Sequence, residues 1–363
     1  MRILVTGASG FLGRHLVQAL SEERHEVRRL GRRADPTDRR SYAWDPAQGS
    51  LDMAALQGVD VVFHLAGESI AAGRWDEAVK QRLRDSRVAS TRVLLEGLAK
   101  LERRPKVLIA ASAVGFYGDR GDQVLDEGSP SGSDFLASLC RDWEAESGRA
   151  ADLGLRVVQP RMGVVLGKDG GVLKQLRLPF GLGLGGRLGN GRQWMSWIAL
   201  PDLMKALLFL MERDDLSGPF NLSAPNPVTN AQFTQSLARA LNRPAVLPVP
   251  AWVLRAVLGE MGQALLLGGQ RALPQRLEQA GFHWDTPFLG EALNRLYHIA
   301  PARRCAGSAA TGSACTSCSW TSCARAPSPP GLPWPVPWAF GWASCPPWAP
   351  APCSARCWPF GWA

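Results

Sequence analysis

The chain has 363 residues, 46% hydrophobic and 20% charged, which is ample for a packed core and excludes wholesale disorder. Its formal charge of +9 overstates its basicity: four Arg and no acidic residue lie beyond residue 300, so residues 1–300 carry 37 basic against 32 acidic groups, a net +5. That body has no basic stripe interleaved with aromatics and no unbroken apolar run of about 18 residues, so neither nucleic acid nor membrane is expected as a partner.

In chain order, Ile3-Leu4-Val5 predicts a buried strand, and Phe11, Leu12, Leu16, Ala19 and Leu20 fall on one helix face. Val27 to Leu30, Val59 to Leu65, Lys106 to Ala111 and Leu155 to Val158 predict further strands. Helices at about 76–101 and 134–152 separate the last three. Strands alternating with helices imply an α/β fold, a Rossmann-type doubly wound parallel sheet. Residues 166–193, rich in Gly and Leu, read as a mobile loop. Pro201 to Glu212 predicts a helix and Pro219 to Leu222 a short strand. Thr229 caps a helix over 231–241, and 251–282 reads as mostly helical up to Gly281. The expected organisation is a dinucleotide-binding domain over 1–165, with 195–223 packing back on it. Residues 166–194 and 224–298 form a smaller, mostly helical cap at the carboxyl edge of the sheet, where ligands sit in such folds.

From Pro301 onward Asp, Glu, Lys, His, Asn, Gln, Ile, Met and Tyr all vanish, while seven of the eight Cys and twelve of the 27 Pro appear. Cys315-x-x-Cys318 and Cys353-x-x-x-Cys357 suggest a zinc site by spacing, but no His follows and no strand–turn frame surrounds them, so no metal is expected. Residues 299–363 read as an aberrant disordered tail, and the abrupt change in composition fits a shifted reading frame. Cys140, alone in 1–300, fits a reducing compartment, and MRILVTGASG enters a strand with no secretory leader; the reading is cytoplasmic.

The strand-to-helix turn Thr6-Gly7-Ala8-Ser9-Gly10-Phe11-Leu12-Gly13 is a dinucleotide fingerprint. Gly7 permits the tight turn, Gly10 admits a pyrophosphate and Gly13 allows close helix packing, with the Phe11 and Leu12 amides opening the helix. At the end of the second strand Leu30-Gly31-Arg32-Arg33 has no carboxylate before Asp35. Arg32 and Arg33 suit a 2′-phosphate, so NADP(H) is the expected cofactor. Ala66 and Gly67, at the end of FHLAG, are expected beside it.

Together with TGASGFLG and FHLAG, the motifs SAVGFYGD, SRVAST, QPRMGVVLG, LPFGLGLGG and LLLGGQRALPQRLEQAGF make the chain resemble an atypical extended short-chain dehydrogenase/reductase. The likeness is to the uncharacterised "epimerase family" group, which has its own C-terminal domain, and it covers about 1–298. It implies an NADP(H)-dependent oxidoreductase or epimerase acting on a small polar molecule. The chain departs from the superfamily's Tyr-x-x-x-Lys pair: Tyr42, Tyr117 and Tyr297 are its only tyrosines, and none is followed by Lys four residues on. Phe135 to Cys140 stands where the pair belongs, and Arg87 stands where an Asn is usual. The resemblance therefore leaves Ser112 and Tyr117 as catalytic candidates, and Arg87 and Arg161 as substrate anchors. Glu68, Trp194 and Trp197 are weaker candidates, and His64 reads as a buried core residue. Loss of the pair also supports a second reading, a non-catalytic NADP(H) sensor.

Overall fold

The computed structural model describes residues 1–71 and 73–297. The tail readings, including the cysteine spacings, lie outside the described residues. Seven strands, β1 (Arg2–Thr6), β2 (Glu26–Gly31), β3 (Ser41–Asp45), β4 (Val61–His64), β5 (Val107–Ala110), β6 (Arg156–Met162) and β7 (Gly218–Leu222), pair in parallel in the order β7-β6-β5-β4-β1-β2-β3. Ser50–Leu51 adds an antiparallel edge to β3. The sheet reverses its winding between β1 and β4, which opens a crevice at their carboxyl ends.

The longer helices are α1 (Phe11–Glu22), α2 (Glu77–Arg84), α3 (Ser90–Ala99), α4 (Phe135–Gly148), α5 (Gly171–Gly181), α6 (Leu200–Glu212), α7 (Asn230–Ala240), α8 (Ala251–Leu258) and α9 (Leu289–Tyr297). Strand alternation sends Ile3, Val5 and Phe63 to one face, against Leu16 and Leu20 of α1 and Leu203 and Leu207 of α6. Leu4, Val62 and Leu108 point the other way, onto Leu94 and Leu98 of α3. Burial on both faces is why these strands read as continuous apolar runs.

The structure differs from the sequence expectations in four places. β3 escaped notice because Trp44 is its only buried residue, as an edge strand allows. The helix expected over 76–101 is interrupted by a π-turn at Asp85–Ala89. The expected loop at 166–193 begins inside the strand Val164–Gly167, which pairs with Trp197–Ala199, and contains the whole of α5, which buries Leu173 and Phe180. Its many glycines masked an amphipathic helix. The stretch 251–282 is helical only in pieces. After α8 and a π-turn at Gln263–Leu267 the chain extends, and Arg271–Ala272 pairs with Val124–Leu125.

That extended strap is tied on both sides. The Ala272 amide donates to Ser196 Oγ (2.8 Å), Leu273 N to Leu125 O (2.8 Å) and Asn221 Nδ2 to Leu273 O (2.9 Å). Just before it, Met261 packs with Trp75, Leu83, Leu136 and Leu139, joining the segment after α8 to α2 and α4. Asp202, in the first turn of α6 and buried, accepts from the amides of Asp285 (2.8 Å) and Thr286 (3.0 Å) and from the Thr286 hydroxyl. Asp202→Ala would strand these donors and should lower stability to urea by about 2–4 kcal/mol. A loss below about 1 kcal/mol would show that water replaces the carboxylate.

Candidate functional site

The glycine loop is built by backbone contact. Gly7 has φ of 69°, and a Cβ there would lie 2.8 Å from Leu65 O. A Cβ on Gly13 would lie 2.1 Å from Gly7 O, so turn and helix touch main chain to main chain. Gly10 is less crowded, since a Cβ there would meet only Gly7 O, at a tight 3.2 Å. α1 has neither a side-chain cap nor an acidic residue in its first turn, so the amides around Phe11 and Leu12 present a positive helix end.

A cleft of about 740 Å³ runs from this loop to the end of β2, lined by Ala8, Ser9, Gly31, Arg32, Arg33 and Asp35. Arg32 and Arg33 are exposed, and among the described residues neither has an ion-pair or hydrogen-bond partner. Asp35 turns into its own loop, where its Oδ1 accepts from Thr37 N (2.9 Å) and Thr37 Oγ1 (2.6 Å); those bonds hold its carboxyl below the usual range.

Beneath the crevice, one hydrogen-bond chain has its direction fixed by its ends. Thr6 Oγ1 accepts from the amides of Leu65 and Ala66 (both 3.1 Å), so its proton goes to His64 Nδ1 (2.8 Å). His64 Nε2–H then donates to Thr91 Oγ1 (3.0 Å), and Thr91 donates to Arg87 O (2.6 Å). Burial holds the imidazole down to about 4, so it is neutral.

Arg87 sits on the π-turn with its guanidinium under Gly67, where a Cβ would approach it to 3.3 Å. It donates to Glu68 O (2.9 Å), Leu83 O and Ser86 Oγ (both 3.2 Å) and lies 5.3 Å over Trp143. The expected substrate anchor instead holds the loop that carries Ala66 and Gly67.

Ser112, Tyr117 and Arg161 do converge, but inside the protein. Arg161 meets Glu144 of α4 with two bonds, Nε to Oε1 (2.8 Å) and Nη2 to Oε2 (2.7 Å), and its Nη1 donates to Tyr117 Oη (3.0 Å) and Glu127 O (3.2 Å). Phe116 stacks 3.5 Å from this guanidinium. Ser112 Oγ donates to Glu144 Oε1 (2.6 Å), and Tyr117 donates to Asn221 Oδ1 (2.7 Å). Tyr117 is fully buried, and burial pushes its hydroxyl up to about 12. Its hydroxyl proton is taken up in the bond to Asn221, and Arg161, 4% exposed and doubly bonded to Glu144, is no open anion anchor. Trp197 is likewise core, whereas Trp194 is half-buried, bonded to Asp122 (2.7 Å) and under Arg271.

Residues 3–223 match the NAD dependent epimerase/dehydratase family, and 249–296 match a domain of unknown function, DUF1731. The chain belongs to the NAD dependent epimerase/dehydratase family. It is 47% identical over 291 residues to epimerase family protein Mb2239 of Mycobacterium bovis, covering 80% of this chain and 96% of that one. With YfhF of Bacillus subtilis it shares 40% over 299 residues, 82% of this chain and 98% of the relative. A crystal structure of human epimerase family protein SDR39U1 with NADPH superposes with a TM-score of 0.74 at 34% identity, covering 82% of this chain and 99% of that one.

Within this family fold, sequence reasoning missed Glu144, the carboxylate on which Ser112 and Arg161 meet. Its signal was available: Glu144 follows Cys140 by four residues on α4, the spacing of the absent Tyr-x-x-x-Lys pair. The Cys140 thiol lies beside Ser112 and is pushed up to about 12 by burial. Asn221 and Glu127 carried no motif at all. No group of three or more His, Cys, Asp or Glu suited to a metal occurs among the described residues.

His64 gives this site a pH signature. An imidazole held near 4 when folded and near 6.5 when unfolded stabilises the fold fully above pH 6.5, and that stability is lost as pH falls toward 4. Wild type should lose up to roughly 3 kcal/mol across this window relative to His64→Gln, by urea denaturation at each pH. Parallel losses in both chains would remove His64 from the account.

Proposed function

We propose that the chain binds NADP(H) along the glycine loop and acts as an oxidoreductase or epimerase-type enzyme on a small polar substrate. The observation that carries the cofactor reading is the pair of unpartnered arginines at the end of β2, beside an uncapped helix and a carboxylate turned away. Arg32 and Arg33 would hold the 2′-phosphate, Gly10 and the Phe11 and Leu12 amides the diphosphate, and Ala66 and Gly67 the nicotinamide side. The NADPH in the human relative's structure supports this choice.

The bound nicotinamide supplies hydride transfer; the chain's own residues orient it and manage a proton. Ser112 is the candidate for that proton. Its hydroxyl hydrogen is already directed at Glu144, so its remaining lone pairs are suited to accept from a substrate hydroxyl. Arg161, Tyr117 and Arg87 act through others, as positioning residues. One observation favours a second reading, a nucleotide-responsive protein without turnover: Ser112 is 1% exposed and its neighbours are satisfied internally.

Titration of the full chain with NADPH and NADH, read by tryptophan quenching, tests the cofactor. Arg32→Ala with Arg33→Ala should weaken NADPH by about 10- to 100-fold and leave NADH nearly unchanged. Equal losses would defeat the 2′-phosphate assignment. Under the enzyme reading, Ser112→Ala should cut kcat by about 100-fold or more on a carbonyl or alcohol substrate while NADPH affinity holds. NADPH binding with no turnover across a broad screen would select the second reading.

A further inference from the structure

Charge is unevenly placed in this chain. Residues 170–201 and 216–259 contain no Asp or Glu but seven basic residues, so they carry +7 while the rest of residues 1–300 sums to −2. The two segments are laced together: Val249 N donates to Arg187 O (2.9 Å), Gly189 N to Val249 O (2.8 Å) and Leu247 N to Gly185 O (3.2 Å).

The same segments carry the apolar surface. Of the ten large hydrophobic side chains exposed among the described residues, seven lie here, including Leu178 (70% exposed), Leu182 (66%), Val246 (74%) and Trp252 (71%). Beside them opens a cleft of about 950 Å³ lined by Arg187, Arg239 and Arg243 with Gln232 and Gln235, and by no carboxylate. None of these three guanidiniums has an ion-pair or hydrogen-bond partner among the described residues.

Val246 itself lines that cleft. A Cβ on Gly183, beside Leu182, would lie 3.6 Å from Pro244, and one on Gly189 would lie 3.5 Å from Ala251, beside Trp252. Exposed apolar side chains thus border the arginines, a pattern that marks an interaction face whose charge chooses the partner. A symmetric second copy would set the three arginines of this carboxylate-free cleft against their own copies with no counter-charge. An RNA or DNA strand would find Trp252 alone as an exposed ring to stack on. An anionic bilayer satisfies both halves of the pattern, since its interfacial zone accepts leucine and tryptophan while its phosphates meet arginine. No helix among the described residues is long and apolar enough to cross a membrane, so the contact lies on the surface. We propose that this cap face docks on an anionic lipid surface, with Arg187, Arg239 and Arg243 receiving lipid phosphate and Leu182 and Trp252 entering the interface. The proposal goes beyond the sequence expectation of no membrane partner and does not depend on the cofactor reading.

The test is flotation of the full chain with vesicles of phosphatidylcholine alone or with about 30% phosphatidylglycerol, at low and at high salt. Partition should be at least about tenfold stronger onto the anionic vesicles and should fall steeply with salt. Arg239→Glu with Arg243→Glu should lower it at least about tenfold, and Leu182→Ala with Trp252→Ala severalfold, with thermal unfolding and far-UV circular dichroism unchanged as checks of the fold. No binding, equal partition onto both vesicles, or insensitivity to both variants would overturn the proposal. So would a concentration-dependent dimer dispersed by the Leu182 and Trp252 substitutions in vesicle-free buffer.

Discussion

The two-bond fork between Arg161 and Glu144 is the interaction on which the rest of the site depends. Both groups are nearly removed from water, with side-chain exposures of 4% and 11%. Each charge is tolerable only because the other faces it squarely and neighbours occupy the remaining donors and acceptors. Through this pair β6 is joined to α4, the Ser112 hydroxyl gains an acceptor, and Tyr117 is oriented toward Asn221 on β7. Removing one partner would leave a buried charge uncompensated, at about 3–5 kcal/mol, whereas two apolar replacements of matching shape could be borne. The pair thus determines geometry more than it adds stability.

A second constraint acts at the other end of the crevice, where the glycine turn, the end of β4 and the π-turn are held by one ordered chain of hydrogen bonds through His64. The extra residue of the π-turn aims Arg87 beneath Gly67. Cofactor loop and crevice floor therefore share a neutral, buried polar frame. Such a frame is rigid only while every member is satisfied, and each of the hydroxyls and nitrogens in it has a partner.

Much of the fold was legible because its signals are local. The glycine spacing, the apolar runs of β1, β4 and β5, and the Thr229 capping box each depend on residues a few positions apart. Glu144 was missed because a lone carboxylate in an amphipathic helix looks like surface until Arg161 is brought to it from seventeen residues away. Tyr117 and Arg161 were read as open to a substrate because sequence gives residue type without burial. α5 was hidden by glycines and Pro179, and only its packing of Leu173 and Phe180 makes it a helix.

The strap at residues 268–274 has a consequence for synthesis. Ser196 and Asn221 bond to it, and Glu127 accepts from the Arg276 amide just past it, so these groups are made long before their partners. A nascent chain can assemble the early strands, yet its polar interior stays open to water until residues 270–276 leave the ribosome. A premature stop before that point would leave an exposed, half-paired core rather than a shorter working protein. The break in composition near residue 299 falls after the last residue these bonds require.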